Sequence, residues 1–241
     1  MQGYVISDLH KFTSRSESSA AEARLRSVAD GADFIVLNGD IVDFKWSTLG
    51  SIQATIDAAI DWMSCLLRDF PGTHFHYILG NHDALQAFAD RLAALAAMYH
   101  HFSWHPSHVQ IGSALFHHGD LLLHADPGLH WRRKLAVDVS RKSTTANHIY
   151  DGIVACRLHH LASFVHPAQR VARQVARALR SSPYPAHTRV TDVYIGHTHS
   201  PFSVQEEAGI RIHNSGSSIK HLRFQLIAVT VNEDALEARS A

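Results

Sequence analysis

The chain has 241 residues, of which 46% are hydrophobic and 18% charged, a balance typical of soluble globular proteins. Its formal net charge is zero, so the composition does not indicate attraction of the whole protein to nucleic acid. No apolar run approaches the roughly 18 residues that a membrane-spanning helix needs. The first predicted strand begins almost at Met1, which leaves no room for a signal peptide. We therefore expect one domain with an insertion, located in the cytoplasm or at the inner membrane face, with Cys65 and Cys156 as reduced thiols.

The first part of the chain alternates between predicted strands and helices. Short apolar runs rich in β-branched and aromatic residues predict buried strands; these cover Gly3–Ser7, Phe34–Leu37 and Phe75–Leu79. Apolar residues at helical spacing predict helices between and after them; these cover Ser19–Ala29, Ile52–Arg68 and Leu85–Met98. Strands that alternate with helices are typical of an α/β sheet.

The pattern changes after Tyr99, where short apolar runs follow one another directly. Pro106 and Gly112 separate the first three runs, and this predicts antiparallel strands. The first block contains Phe102–His105, Val109–Ile111 and Ala114–His117. A second block after Val190 contains Val193–Ile195, Phe202–Gln205, Ile210–His213 and Phe224–Val231.

Residues 125–182, between the two blocks, form a segment of a different kind. Helical patterns cover Leu129–Lys142, Asn147–Val165 and Pro167–Arg180, and Pro167 suits a first helical turn. The segment has ten Lys and Arg against three Asp, an excess of +7 in a neutral protein. We interpret it as a helical basic cap inserted into a core made of residues 1–124 and 183–241.

Five polar clusters occur along the chain, and four of them lie where a predicted strand stops. They are Asp8-Leu9-His10, Gly39-Asp40-Ile41-Val42-Asp43, Gly80-Asn81-His82-Asp83, His118-Gly119-Asp120 and Gly196-His197-Thr198-His199. Ligands of open α/β sheets bind at the carboxyl ends of strands, so these loops are expected to converge. Asp, Asn and His side chains without thiolates suit divalent ions such as Mn, Fe, Co or Zn. The clusters therefore predict a metal site.

In this order the clusters resemble those of the calcineurin-like metallophosphoesterase family, from Ser7 to about Gly216. The resemblance implies an α/β fold, a four-layer αββα sandwich with a helical cap insertion, and hydrolysis of phosphoesters by two divalent metal ions. Mn is the favoured metal, and Fe, Zn, Co and Ni are alternatives. The first ion would be held by Asp8, His10, Asp40 and His199. The second would be held by Asp40, Asn81, His118 and His197, which makes Asp40 the bridging carboxylate.

The resemblance also implies catalytic roles for the residues after Asn81. His82 would reach the phosphate as an acid or charge stabiliser, and Asp83 would orient it; a purely structural role for His82 is the alternative. Asp43 would act from behind the ligands. His117 competes with His118 for the metal, and the family pattern favours the histidine directly before Gly-Asp. The turn Asn214–Ser217 marks the end of the core, without a chemical role.

The cap offers three interpretations. Arg132, Arg133, Arg141 and Arg157 are candidates for binding an anionic substrate. Alternatively the cap arginines are simply solvated, or the face that carries Arg170, Arg173, Arg177 and Arg180 contacts an anionic membrane.

The HGD cluster, the length and the helical insertion are similar to those of the UDP-2,3-diacylglucosamine pyrophosphohydrolase subgroup. This similarity implies attack of a metal-activated water on the pyrophosphate of a UDP-linked acyl sugar. That subgroup has Arg where this chain has His82, so a soluble nucleotide phosphodiesterase or phosphomonoesterase is the alternative. A non-catalytic metal-binding scaffold is an alternative of another class. No stable nucleic-acid partner is expected, and the sequence leaves the oligomeric state open.

Overall fold

The computed structural model of the protein describes residues 1–120, 140–156, 167–181, 190–205 and 209–231. Within these residues it has ten strands and five long helices. The strands are β1 (Gln2–Ile6), β2 (Phe34–Asn38), β3 (His74–Ile78), β4 (Phe102–His105), β5 (His108–Ile111), β6 (Ala114–His117), β7 (Asp192–Ile195), β8 (Phe202–Gln205), β9 (Arg211–Asn214) and β10 (Ile227–Thr230). The helices are α1 (Ser18–Ala29), α2 (Ile52–Asp69), α3 (Gln86–Met98), α4 (Thr144–Ala155) and α5 (Ala168–Ser181).

The strands form two five-stranded sheets. The first has the order β10-β1-β2-β3-β4 and the second the order β5-β6-β7-β9-β8. Strands β1 to β4 are parallel, and β10 is antiparallel to β1. In the second sheet β6, β7 and β9 are parallel, and β5 and β8 are antiparallel edge strands. The expectation of antiparallel strands after Tyr99 is therefore wrong for β4, because α3 carries the chain across and lets β4 pair in parallel with β3.

Alternation of side chains along the strands divides the core into three layers. Ile35, Leu37 and Phe75 face the helices α1, α2 and α3 on the outside of the first sheet. Val36, Phe116 and Tyr194 belong to the cluster between the sheets. Leu115, Val193 and Ile212 face outward from the second sheet and pack with α5. Because successive side chains of a strand point to opposite faces, this pattern gives the αββα layers of the predicted fold class.

Helix α5 is strongly amphipathic, and its apolar face is buried against the second sheet. Val171, Val175 and Leu179 pack there, and Arg170, Arg173, Arg177 and Arg180 follow a helical period on the other side. This helix supplies the fourth layer of the sandwich, although the sequence grouped it with the cap. The division of the chain into a core and a cap of residues 125–182 stays a prediction.

The other predicted cap helices differ from the structure where it describes them. Helix α4 begins after Ser143, whose side chain accepts a hydrogen bond from the N–H of Ala146, so it starts at Thr144 rather than at the predicted Asn147. It is described as far as Ala155, and residues 157–165 of the predicted range lie outside the described residues. Residues 140–142 are not helical, so the helix predicted over Leu129–Lys142 does not reach its predicted end. Its remainder lies outside the described residues.

Two simpler expectations concern the membrane and the cysteines. No helix in the described ranges is long and apolar enough to cross a bilayer. Cys65 and Cys156 are both free thiols, as predicted.

Candidate metal centre

The five polar clusters lie in loops at the carboxyl ends of parallel strands. Asp8 follows β1, Asp40 follows β2, Asn81 follows β3, His118 follows β6 and His197 follows β7. Main-chain hydrogen bonds join the loops, from the N–H of Asp8 to the carbonyl of Gly39 (3.0 Å) and from the N–H of His10 to that of Asp40 (3.0 Å). The N–H of Gly196 likewise donates to the carbonyl of His118 (2.8 Å). Five of the seven predicted ligands have left-handed backbone, with φ between +46° and +66°: Asp8, His10, Asp40, His197 and His199.

A first group of potential ligand atoms combines four of the predicted residues. The atoms of Asp8, His10, Asp40 and His199 all lie within 4.8 Å of one another. His10 Nε2 is 3.2 Å from His199 Nε2, and His199 Nε2 is 3.2 Å from Asp8 Oδ1. Asp8, His10 and Asp40 are buried, while His199 is partly exposed to solvent. These are the residues that the sequence assigned to the first ion.

A second group of ligand atoms shares Asp40 with the first. Asp40, His118 and His197 offer atoms within 4.8 Å of one another, and His118 Nε2 is 3.1 Å from Asp40 Oδ2. Asn81 joins this group through its Oδ1, which lies 2.9 Å from His197 Nδ1. His117, the rival of His118, instead accepts a hydrogen bond at Nδ1 from the N–H of Gly119 (2.7 Å). Asp40 thus occupies the position that a bridging carboxylate requires.

The histidines of both groups are oriented so that a ring nitrogen faces the other ligands. His118 Nδ1 donates to the carbonyl of Asn38 (3.0 Å), which turns the buried Nε2 toward Asp40 Oδ2, 3.1 Å away. His10 Nδ1 lies 3.1 Å from Asp43 Oδ2, which directs Nε2 toward His199. Such outer partners fix the tautomer of metal-binding histidines. The residues present therefore fit two divalent ions.

The glycines of three clusters allow the loops to approach these ligands. A Cβ on Gly80 would lie 2.1 Å from Asp40 Oδ1, and a Cβ on Gly196 would lie 2.3 Å from Asp8 Oδ2. A Cβ on Gly39, which has φ +81°, would lie 2.5 Å from the ring of His118. A side chain at any of these three positions would overlap a predicted ligand residue, so the site requires glycine there.

The concentration of charge shifts several pKa values in opposite directions. Burial would raise the pKa of Asp40, but His118, His82 and His10 outweigh it and hold that pKa well below its usual range. Burial would lower the pKa of His118, but Asp40 and Asp8 raise it to about 10. Burial and the neighbouring His118 lower the pKa of His197 to about 4. Without metal, protons on selected histidines thus balance the buried carboxylates.

His82 lies beside the two ligand groups, but its orienting partner differs from the prediction. Its Nδ1 is 3.1 Å from Asp43 Oδ2, and its N–H donates to Asp40 Oδ1 (2.7 Å). Burial would lower its pKa, but Asp40 and Asp43 raise it to about 9.

The prediction that Asp83 orients His82 is wrong. The Asp83 carboxylate accepts hydrogen bonds from the N–H of Ile41 (2.9 Å), the hydroxyl of Tyr77 (2.8 Å) and the N–H of Gly80. Since these donors come from the loops after β2 and β3 and from β3 itself, Asp83 ties the two loops together. Burial, together with Asp40, raises its pKa to about 6.

The sequence analysis missed the role of the turn Asn214–Ser217 and its neighbour Ser218. Asn214 Nδ2 donates to the carbonyl of Gly196 (2.7 Å) and to Thr198 Oγ1 (3.0 Å). Ser217 Oγ donates to the carbonyl of Asp8 (3.0 Å), and Ser218 Oγ to that of Leu9 (2.6 Å). The turn therefore holds the loops of two ligand clusters. Its small polar residues, directly after a strand, were the available signal.

Of the predicted substrate-binding arginines, Arg141 alone lies in the described residues. Its Nη1 donates to the main-chain carbonyl of Leu49, at the protein surface. Arg132, Arg133 and Arg157 lie outside the described residues, and their role stays a prediction.

Comparisons with known proteins identify the family of the chain. Residues 1–201 match the family model described as calcineurin-like phosphoesterase. A dimetal phosphatase from Danio rerio superposes with a TM-score of 0.51 at 13% identity, over 97% of this chain and 93% of that one. A metallophosphoesterase from Sphaerobacter thermophilus superposes with a TM-score of 0.45 at 15% identity, over 98% and 85% of the two chains. No curated protein matches by sequence. The family model covers most of the chain, and the Danio rerio likeness shows a shared fold, so the protein belongs to the calcineurin-like phosphoesterase family.

Proposed function

We propose that the protein is a dinuclear metal-dependent hydrolase that cleaves a phosphodiester or a pyrophosphate. The observation that carries the proposal is the pair of ligand groups that meet at Asp40. One ion would be held by Asp8, His10, Asp40 and His199, and the other by Asp40, Asn81, His118 and His197. Mn²⁺ is the proposed metal, because the mixed oxygen and imidazole donors suit borderline and harder divalent ions.

The chemistry divides between the ions and the side chains. When bound, two divalent ions would supply an activated water and would neutralise charge on the phosphoryl oxygens. Main-chain hydrogen bonds between the ligand-bearing loops hold the ligands in place, which lowers the reorganisation needed as charge develops. His82 donates a proton or a hydrogen bond to an oxygen of the substrate, and Asp43 beside its Nδ1 keeps the ring oriented. Asp83 contributes indirectly, by holding the loop that carries His82.

The proposed substrate is a UDP-linked acyl sugar, cleaved at its pyrophosphate in the cytoplasm or at the inner membrane face. The proposal is supported by the basic segment of residues 125–182, whose arginines Arg132, Arg133, Arg141 and Arg157 would bind the anionic substrate.

Hydrolysis by purified protein supplied with Mn²⁺ tests the proposal. The panel contains a chromogenic monoester, a chromogenic diester and a UDP-linked acyl sugar. We expect the diester and the UDP-linked substrate to be cleaved and the Asp40→Ala variant to be inactive. Asp57→Ala, which removes an exposed carboxylate on α2, should retain wild-type rates.

The outcomes separate the levels of the proposal. Preference for the UDP-linked substrate supports the complete proposal, whereas cleavage of the small esters alone retains the reaction class and rejects the acyl sugar. Full activity of Asp40→Ala contradicts the two-metal assignment. Metal binding without hydrolysis of any ester would favour a non-catalytic binding protein.

A further inference from the structure

Four side chains lie in contact where helix α4 meets the core, and we call them the docking cluster: Arg15, Trp46, Tyr150 and Asp151. The Trp46 and Tyr150 rings are stacked, with centroids 5.0 Å apart and planes inclined by 22°. The guanidinium of Arg15 lies 4.9 Å from the Trp46 ring centroid and 4.3 Å from that of Tyr150. Arg15 Nη1 also donates to Asp151 Oδ1 at 3.2 Å.

The environment of Arg15 makes this attachment specific. Arg15 is only 2% exposed, and its Nη1 contacts Asn147 Oδ1 (3.4 Å) as well as Asp151. Ser14 Oγ donates to the same Asp151 carboxylate, and the N–H of Lys142 donates to the carbonyl of Lys45 (2.8 Å). A cation–π contact gains strength when it is desolvated. Helix α4 is therefore fixed on the loops after β1 and β2, which also carry metal ligands.

A chain of direct contacts leads from the docking cluster to the metal centre. The main-chain N–H of Trp46 donates to Asp43 Oδ1 at 2.9 Å. The other oxygen of Asp43 lies 3.1 Å from His10 Nδ1 and 3.1 Å from His82 Nδ1. Asp43 is buried, so no solvent competes for its carboxylate. One residue thus separates Trp46 from both a predicted ligand and the predicted acid.

We propose that Arg15, Trp46 and Tyr150 are positioning residues that transmit the docking of α4 to the metal centre through Asp43. With α4 docked, the stacked rings fix the loop that contains Trp46, and its N–H holds Asp43 in the orientation that directs His10 and His82. When α4 undocks, Asp43 loses this restraint, and both imidazoles become less well oriented. The part of the proposal that concerns catalysis rests on the proposed function, whereas the part that concerns metal binding does not.

The expected size of the effect follows from the position of Asp43. Loss of a side chain that orients a metal ligand typically costs 10–100-fold in metal affinity or activity. Asp43→Ala should reach that range, and Tyr150→Ala, one step further away, should cost roughly threefold to tenfold. The loss should concern the ion held by His10, while the affinity for the ion held by His118 stays the same.

A calorimetric titration of the metal-free protein with Mn²⁺ tests the proposal in a double-mutant cycle. The variants are Tyr150→Ala, Asp43→Ala and their combination. If the effect passes through Asp43, the single variant Tyr150→Ala should bind Mn²⁺ more weakly than wild type. In the Asp43→Ala background, the same substitution should cause no further loss of Mn²⁺ affinity. Two variants of α4 serve as matched controls. Tyr150→Phe keeps the stacked ring, Ile149→Ser changes a side chain that is 64% exposed, and both should bind Mn²⁺ as wild type does.

The kinetic measurement uses a small chromogenic diester. Tyr150→Ala should lower kcat with little change in KM, and Tyr150→Phe should restore kcat. A Tyr150→Ala variant that binds both ions with wild-type affinity, or effects that add in the double variant, would overturn the proposal. If wild-type protein hydrolyses nothing, the proposed function fails, and the Mn²⁺ titration still decides whether the docking cluster acts on the metal centre. Circular dichroism of each variant confirms that the core remains folded.

Discussion

Five of the predicted ligand residues hold a backbone conformation that residues with a side chain rarely adopt. Asp8, His10, Asp40, His197 and His199 all have positive φ, and each such residue costs of order 1 kcal/mol or more. Hydrogen bonds between the loops and from Ser217 and Ser218 hold the chain in this state. In this backbone conformation the potential ligand atoms of Asp8, His10, Asp40 and His199 lie within 4.8 Å of one another.

At the residue scale, Gly80 offers a direct test of the packing around Asp40. Gly80→Ala would bring a Cβ within 2.1 Å of Asp40 Oδ1, so the carboxylate or the loop must move. We expect loss of metal at both sites, and hydrolysis reduced at least in proportion, measured by metal analysis and by rate. Gly72→Ala is the matched control, because a Cβ there meets no atom within 4 Å. Wild-type metal content in Gly80→Ala would show that Asp40 tolerates the displacement.

A second residue-scale prediction concerns His82. Its N–H contacts Asp40 and its ring contacts Asp43, but it is not among the seven predicted ligands. His82→Ala should slow hydrolysis by roughly 10²–10⁴-fold, as expected for loss of a positioned acid. Metal content should stay the same. If the variant loses metal instead, His82 supports the ligand shell and is not the acid.

The residues that the sequence predicted well differ physically from those it did not. The ligand clusters follow recognisable strands, and the convergence of Asp8 and Asp40 follows from the parallel pairing of β1 and β2. The partners of Asp43 and Asp83 depend on how two loops fold across each other. The family resemblance implied Asp83 as the partner of His82, whereas the folded loops bring Asp43 to it.

At the element scale, most strands and helices follow from local patterns, and the failures have a tertiary cause. The strand predicted over Phe102–His105 has the predicted limits, but its direction depends on the helix that precedes it. The spacing of Val171, Val175 and Leu179 predicts helix α5 and its apolar face. The spacing does not indicate that the second sheet covers this face.

Three histidines on β3 and β4 give an element-scale prediction about pH. The His74 and His76 rings lie 4.5 Å apart, and His76 Nδ1 is 3.2 Å from His105 Nε2. Burial is the main cause that lowers the pKa of His76 to about 3 and that of His105 to about 4, and repulsion from neighbouring histidines lowers both further. Between these pKa values and about 6.5, His76 and His105 bind protons in the unfolded chain but not in the folded protein. The free energy of unfolding therefore falls as the pH drops from about 6.5 toward 4.

Thermal unfolding at a series of pH values measures this effect. His76→Gln should reduce the loss of Tm between pH 6.5 and 4.5 relative to wild type, because glutamine does not bind a proton in the unfolded chain. His148→Gln, at an exposed position on α4, is the control and should keep the wild-type slope. An unchanged slope in His76→Gln would show that His76 takes up its proton in the folded protein.

At the scale of the whole molecule, the candidate metal centre combines residues that follow strands of both sheets. The protonation of its histidines should depend on whether metal is bound. The raised pKa of His118, about 10, means that the metal-free protein carries a proton there at neutral pH. A ligand histidine must be neutral, so metal binding should release this proton. Apparent affinity should then fall by about tenfold for each pH unit of acidification per proton released.

Calorimetry of Mn²⁺ binding in buffers with different ionisation enthalpies measures the protons released. At pH 7 we expect at least one, and His118→Ala should lower the number as well as the affinity. Identical heats in all buffers would show that His118 is already neutral before the metal binds.

The first strand of the chain pairs with the last one described. The N–H of Val231 donates to the carbonyl of Met1 at 3.0 Å, and β10 covers the edge of β1. The carbonyls of Asp8 and Leu9 likewise receive their hydrogen bonds from Ser217 and Ser218. During translation, Asp8 leaves the ribosome 209 residues before Ser217, which donates to its carbonyl. A message truncated before the codon for Asn214 would therefore yield a polypeptide with all seven predicted ligands and an uncovered strand edge, prone to aggregation rather than to metal binding.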